Sequence, residues 1–107
     1  MEDIYACIWR ASEPDESFKQ EEFEARIPRV MTWLRELHAM GRLVGCGGGG
    51  FETRPGGLTL IRASSPEEAR ALSDGSPLNE IGTTELLLWG VYYADLVEKS
   101  REGNLVS

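Results

Sequence analysis

Histidine occurs once in this chain of 107 residues, cysteine twice, and positive charge is in deficit, with 11 Lys and Arg against 18 Asp and Glu. The single His38 and the widely separated Cys7 and Cys46 make no His-x-x-x-His or Cys-x-x-Cys pair, so neither a metal site nor a cofactor is expected. Two cysteines do not build a disulfide scaffold, and both are read as buried free thiols. A net charge of -7 and a pI near 4.7 repel phosphate backbones, which argues against a nucleic-acid partner. No stretch approaches the roughly 20 apolar residues that cross a bilayer, and no basic start leads into a signal-like apolar run. The chain is therefore expected to be cytoplasmic, with no membrane partner. No Pro/Ser-rich or charge-blocked linker divides it. One domain over residues 1–97 and a polar tail over residues 98–107 are expected.

What is present is a sequence of short, well-punctuated elements. Ile4 to Trp9 is apolar in both alternating sets and predicts a strand covered on both faces. Ser17 and Gln20 have capping-box spacing, and Phe23, Ile27, Val30, Leu34 and Leu37 then fall on one helical stripe. Pro28 lacks an N–H and predicts a kink or break, with the longer helical part from Pro28 to Met40 and Gly41 as its C-terminal cap. Arg42 to Cys46 reads as a second strand. The run Gly47 to Gly50 then reads as bulged or closely approached backbone, and after the Arg54-Pro55-Gly56-Gly57 turn a third strand follows over Gly57 to Arg62. Ser65-Pro66-Glu67-Glu68 combines an N-cap Ser, a Pro at the first helical position and a box-closing Glu, and Gly75 ends that helix. The turn Ser76 to Gly82 leads into a long last strand from Thr84 to Ala94.

The order strand, helix, strand, strand, helix, strand predicts an α+β domain of ferredoxin-like βαββαβ type around one antiparallel sheet. Two helices cover only one face of such a sheet, yet the last strand is apolar on both sides. An uncovered apolar face larger than a few hundred Å2 is unusual for a monomer, so a homodimer packed through its sheet faces is expected.

Several pieces together resemble the YciI-like (YCII-related) family. They are Leu37-His38-Ala39-Met40-Gly41-Arg42-Leu43 at the helix end, the glycine-rich end of the second strand, Gly57-Leu58-Thr59-Leu60, Ser65-Pro66-Glu67-Glu68-Ala69, and Pro77 with Gly82. The resemblance implies a dimeric α+β barrel with a pocket inside it. It also implies a His and Asp pair suited to moving a proton, but the His position falls on Val30 and the Asp position on Ser76. A Ser hydroxyl offers only a neutral hydrogen bond where an Asp would orient an imidazole by its charge.

Two functions follow from this pattern. One is a protein that binds a small organic molecule in a pocket of the homodimer; the other is an enzyme catalysing proton transfer or elimination on a small cyclic compound, with His38 and Ser76 as the groups that orient it. His38 lies about 60° from the stripe centre and reads either as a pocket residue or as an exposed residue near a helix C-terminus. Ser76 reads either as a ligand contact or as a turn former before Pro77. Tyr5, Trp9 and Trp89, with Tyr93, read as an aromatic pocket lining or as dimer core, and Arg62 as an anion clamp or a surface residue. Arg54 carries the same two readings; Asp74 reads as a substitute for the missing acid or as a solvated helix-end residue, and Glu85 as a proton acceptor or a surface residue. The glycine run lacks the Lys and the following helix that a phosphate loop needs.

Overall fold

The computed structural model describes residues 2–95, so the expected tail from residue 98 lies outside the described residues. The elements are β1 (Asp3–Ala11), α1 (Gln20–Ala39), β2 (Leu43–Gly50), β3 (Pro55–Ala63), α2 (Pro66–Ser73), a 3-10 turn (Pro77–Glu80) and β4 (Gly82–Leu88). The four strands form one sheet in the order β2-β3-β1-β4, and every neighbouring pair is antiparallel. This is a small α+β architecture. Among the described residues no helix is long and apolar enough to cross a membrane.

Helix α1 differs from expectation at two places. It runs unbroken through Pro28, and its N-cap is Lys19 with no side-chain bond, so the Ser17–Gln20 capping box does not form. The Ser17 and Phe18 amides instead donate to the Pro14 carbonyl, closing a turn ahead of the helix. Proline removes one helical hydrogen bond, but Val30, Met31, Leu34 and Leu37 are all buried, and tertiary packing of an apolar face outweighs that local loss. The C-terminus behaves as expected. Gly41 has φ +72°, its amide donates to the His38 carbonyl and the Arg42 amide donates to the Leu37 carbonyl, the paired bonds of a Schellman cap.

The glycine run is strand rather than bulged loop. Gly47, Gly48, Gly49 and Gly50 pair with Leu58, Gly57, Gly56 and Pro55, leaving only residues 51–54 to connect β2 and β3. Among the described residues Gly41 is the one glycine with a positive φ, so the run has ordinary extended backbone templated by β3. A register shift does occur earlier, between Leu43 and Gly45. The extra residue there, Val44, lets Leu43 and Cys46 share the helix-covered face although they are three apart in sequence.

Strand β4 stops at Leu88, six residues short of the expected end at Ala94. Its partner decides this. Leu88 pairs with Tyr5, the Trp89 amide donates to the Ile4 carbonyl, and β1 begins at Asp3, so beyond Trp89 there is little partner strand left. Tyr92 and Tyr93 are accordingly exposed.

Helix α2 is capped as its sequence predicts. Ser65 Oγ accepts from the Glu68 amide at 3.1 Å, and the Glu68 carboxylate reaches back to the Ser64 amide and hydroxyl while also receiving Arg42. These bonds hold the Glu68 carboxyl below its ordinary pKa, the Ser64 amide being the largest cause. Gly75 follows the helix for a packing reason, since a Cβ there would lie 3.1 Å from the Trp33 indole.

Both helices cover the face carrying Tyr5, Cys7 and Trp9. One core cluster joins Tyr5, Cys7, Ile61 and Ala63 to Leu37 of α1 and Ala69 of α2; a second gathers Val30, Met31 and Leu34 under Ile27 and Leu78. Neighbours in the strand register alternate to the other face, which therefore presents Ile4, Ala6, Ile8, Leu58, Leu60 and Leu87. Leu58 and Leu87 are 43% and 52% exposed there. Arg10 closes one end of this face, pairing with Glu85 and lying 4.5 Å above the Phe51 ring.

Candidate functional site

Between α1 and the sheet lies a cavity of about 170 Å3. Its floor is built from successive cross-strand rows, because residues directly opposite one another on an antiparallel sheet share a face. Cys46, Thr59 and Cys7 form one row, and Gly48, Gly57, Trp9 and Thr84 the next. Phe23, Ile27, Val30, Met31 and Leu34 of α1 form the roof. Ser73, Ser76 and Leu78, from the end of α2 and the turn that follows, close one side.

The closing turn is held by its own polar groups. Ser76 Oγ accepts from the Leu78 amide at 3.3 Å, capping the 3-10 turn, and Trp9 Nε1 donates to the Leu78 carbonyl at 2.8 Å. Asn79 Nδ2 donates to the Ser73 carbonyl and receives the Thr84 hydroxyl on its Oδ1, tying the turn to β4. Outside the cavity, Arg26 and Arg29 of α1 both bond the Glu80 carboxylate. Those bonds, Arg29 first, hold Glu80 below the usual carboxylate range. The turn that presents Ser76 is thus clamped to α1, β1 and β4.

The cavity contains hydroxyls and thiols but no carboxylate, imidazole, ammonium or guanidinium among its lining residues. Burial pushes both Cys7 and Cys46 thiols up, and the Ser73 hydroxyl and Arg70 oppose that only in part at Cys7. Both therefore stay protonated at neutral pH, and neither is a thiolate nucleophile. Among the described residues no group of three or more His, Cys, Asp or Glu side chains is placed to hold a metal ion. A second hollow, bounded by Glu13, Lys19 and Glu22 beside Phe18 and Ile81, is a surface depression flanked by exposed charges.

Of the candidate catalytic and ligand-binding residues, the structure brings Trp9 and Ser76 to this cavity and leaves His38, Tyr5, Arg62 and Trp89 outside its lining. His38 is exposed in the last turn of α1. It sits about 6 Å further along the helix than Leu34, where the roof ends, and is not among the lining residues. Tyr5 is buried with Leu37 and Ile61 in the neighbouring core cluster, where burial raises its phenol pKa. Arg62 pairs in register with Ile4 and so belongs to the opposite face of the sheet, with its side chain exposed. Trp89 lies just beyond β4. Arg54 donates to the Ala11 and Ser12 carbonyls, Glu85 pairs with Arg10, and Asp74 is exposed.

Val30 and Ser76, the two positions onto which the resemblance carries a His and an Asp, both line the cavity. Sequence reasoning missed Met31, Cys46, Gly48 and Thr59 as lining residues. The stripe spacing places Met31 beside Val30 and was the available signal for it; Cys46, Gly48 and Thr59 become neighbours only through strand register. Comparison of the chain with protein-family models, with curated proteins and with solved structures finds no match.

Proposed function

We propose that this chain binds a small organic molecule in the cavity between α1 and the sheet, as a cytoplasmic homodimer of YciI-like, ferredoxin-like architecture. The observation that carries the binding reading is the cavity itself: apolar walls, a few hydroxyls, and a rigidly held turn at one side, the composition usual for small-molecule pockets. Its position supports the likeness, since Val30 and Ser76 both line it. The lining lacks a group that takes up or releases a proton near neutral pH, which favours binding over proton transfer. The element order and the strand order β2-β3-β1-β4 support the ferredoxin-like reading.

Trp9 and Trp33 both line the cavity and report on its occupancy. Titration with one-ring and two-ring organic compounds is expected to give a saturable change in tryptophan fluorescence for some of them. No saturation with any compound at millimolar concentration would remove the binding reading.

The dimer is supported by the apolar face opposite the helices, where Leu58 and Leu87 lie in solvent. A second copy of the same sheet covers both faces at once and buries this surface isologously. Sedimentation is expected to show a dimer at micromolar concentration and a monomer for the double variant Leu58→Glu/Leu87→Glu. A monomeric parent chain would refute the dimer and leave the binding reading intact.

A further inference from the structure

The cavity exists in part because β2 carries no side chain at position 48. Gly48 pairs with Gly57, and Gly57 with Trp9, so Gly48 lies in a floor row of the cavity on the helix-covered face. A Cβ at Gly48 meets nothing within 4 Å, whereas one at Gly57 would meet the Gly47 carbonyl at 3.3 Å. Gly48 is itself exposed, at the open side of the cavity; its extended backbone accepts any L-residue, and a larger apolar side chain there would raise strand propensity and take up space at that side of the cavity. Glycine inside a strand does neither. Gly48 therefore contributes to the unfilled volume, and of the two glycines in that floor row it is the one where a side chain meets no neighbour.

The size and polarity of that volume define its guest. An apolar cavity of about 150 Å3 accepts benzene, and the one here holds about 170 Å3. Thr59 and Ser76 supply hydroxyls at its wall, and among the described residues neither donates its proton to a side-chain or backbone acceptor. Nothing in the lining carries a formal charge to neutralise a charged guest, so an ion entering the cavity forfeits its hydration without compensation. We infer that the cavity takes an uncharged, single-ring molecule bearing one hydrogen-bonding group, and that Gly48 determines this specificity by reserving the space the ring occupies. The inference rests on the binding reading above and narrows it.

The test uses phenol, benzoate, benzylamine and 2-naphthol at neutral pH against the full chain, with tryptophan fluorescence and thermal melting as readouts. Phenol is expected to saturate, with benzoate and benzylamine weaker by at least about a hundredfold. Gly48→Val is expected to weaken phenol at least about tenfold while leaving Tm unchanged or higher, because its side chain enters open space. Gly49→Val, one residue on and facing the other side of the sheet, is expected to bind phenol as the parent does. If Gly48→Val lowers Tm, Gly48→Ala replaces it, with a smaller weakening expected. Benzoate or benzylamine binding as tightly as phenol overturns the uncharged guest, and 2-naphthol binding more tightly overturns the single-ring size. A folded Gly48 variant that binds phenol like the parent overturns the assignment of that position. Failure of phenol while other one-ring or two-ring compounds still give a saturable fluorescence change overturns the inference alone; failure of every compound titrated removes the binding reading along with it.

Discussion

Leu37→Ala is expected to lower stability by about 2–5 kcal/mol, the range for emptying a well-packed core site. Leu37 is 1% exposed and joins the cluster of Tyr5, Cys7, Ile61 and Ala63, where the last turns of α1 press on the centre of the sheet. It is also the residue whose carbonyl receives the Arg42 amide in the cap, so its neighbours are held from both sides and collapse only partly into the space left. For a domain of this length each kcal/mol corresponds to roughly 4–8 °C in Tm. Chemical denaturation should show a lower midpoint at unchanged slope, while Glu36→Ala on the exposed side of the same turn should remain within about 0.5 kcal/mol of the parent. A Leu37→Ala protein within about 1 kcal/mol of the parent would contradict the core described here.

Gly82→Ala is expected to be strongly destabilising. A Cβ at Gly82 would lie well inside contact distance of the Arg10 carbonyl and Trp9 Nε1, and 2.6 Å from Trp9 Cε2. Gly82 pairs in register with Ala11 at the edge where β4 begins, so the Arg10 carbonyl can yield only by opening the β1–β4 pairing, and the indole has to move as well. Moving it breaks the bond from Trp9 Nε1 to the Leu78 carbonyl and loosens the turn that carries Ser76. Overpacking of this kind typically destabilises by about 1–3 kcal/mol and at times more. The expected readouts are a lowered Tm and a red-shifted tryptophan emission, with Gly49→Ala, where a Cβ meets open space, as the neutral comparison. Unchanged emission in the Gly82 variant would show that the indole is not held as described.

The reason for Gly82 was not legible in the residues around it. Its φ is not positive, so turn chemistry does not require glycine there; the requirement comes from Trp9, which is distant in sequence and brought alongside by the β1–β4 pairing. Gly75 is the same case with Trp33 as the neighbour. Gly41 is the opposite case: its left-handed conformation follows from the end of a helical stripe, and local sequence predicts it. Of the candidate site residues, Trp9 was legible as an inward residue of an apolar strand and Ser76 as the cap of a Ser-Pro turn. Helical angle alone does not show how far along the helix the cavity extends, and His38 lies outside its lining.

Elements governed by contacts within a few residues were therefore set by the sequence alone: the stripe of α1, the Ser65 cap of α2, the Gly41 terminus, the order of strands and helices, and a net charge that disfavours phosphate backbones. The tertiary structure decided what depends on a partner strand or a packed neighbour. Pairing with β3 turned a run of four glycines into an edge strand, the start of β1 at Asp3 ended β4 at Leu88, and packing carried α1 through Pro28. The cavity belongs to this second group. Its floor joins residues from four strands, and register, which is a property of pairing, brings them onto one face.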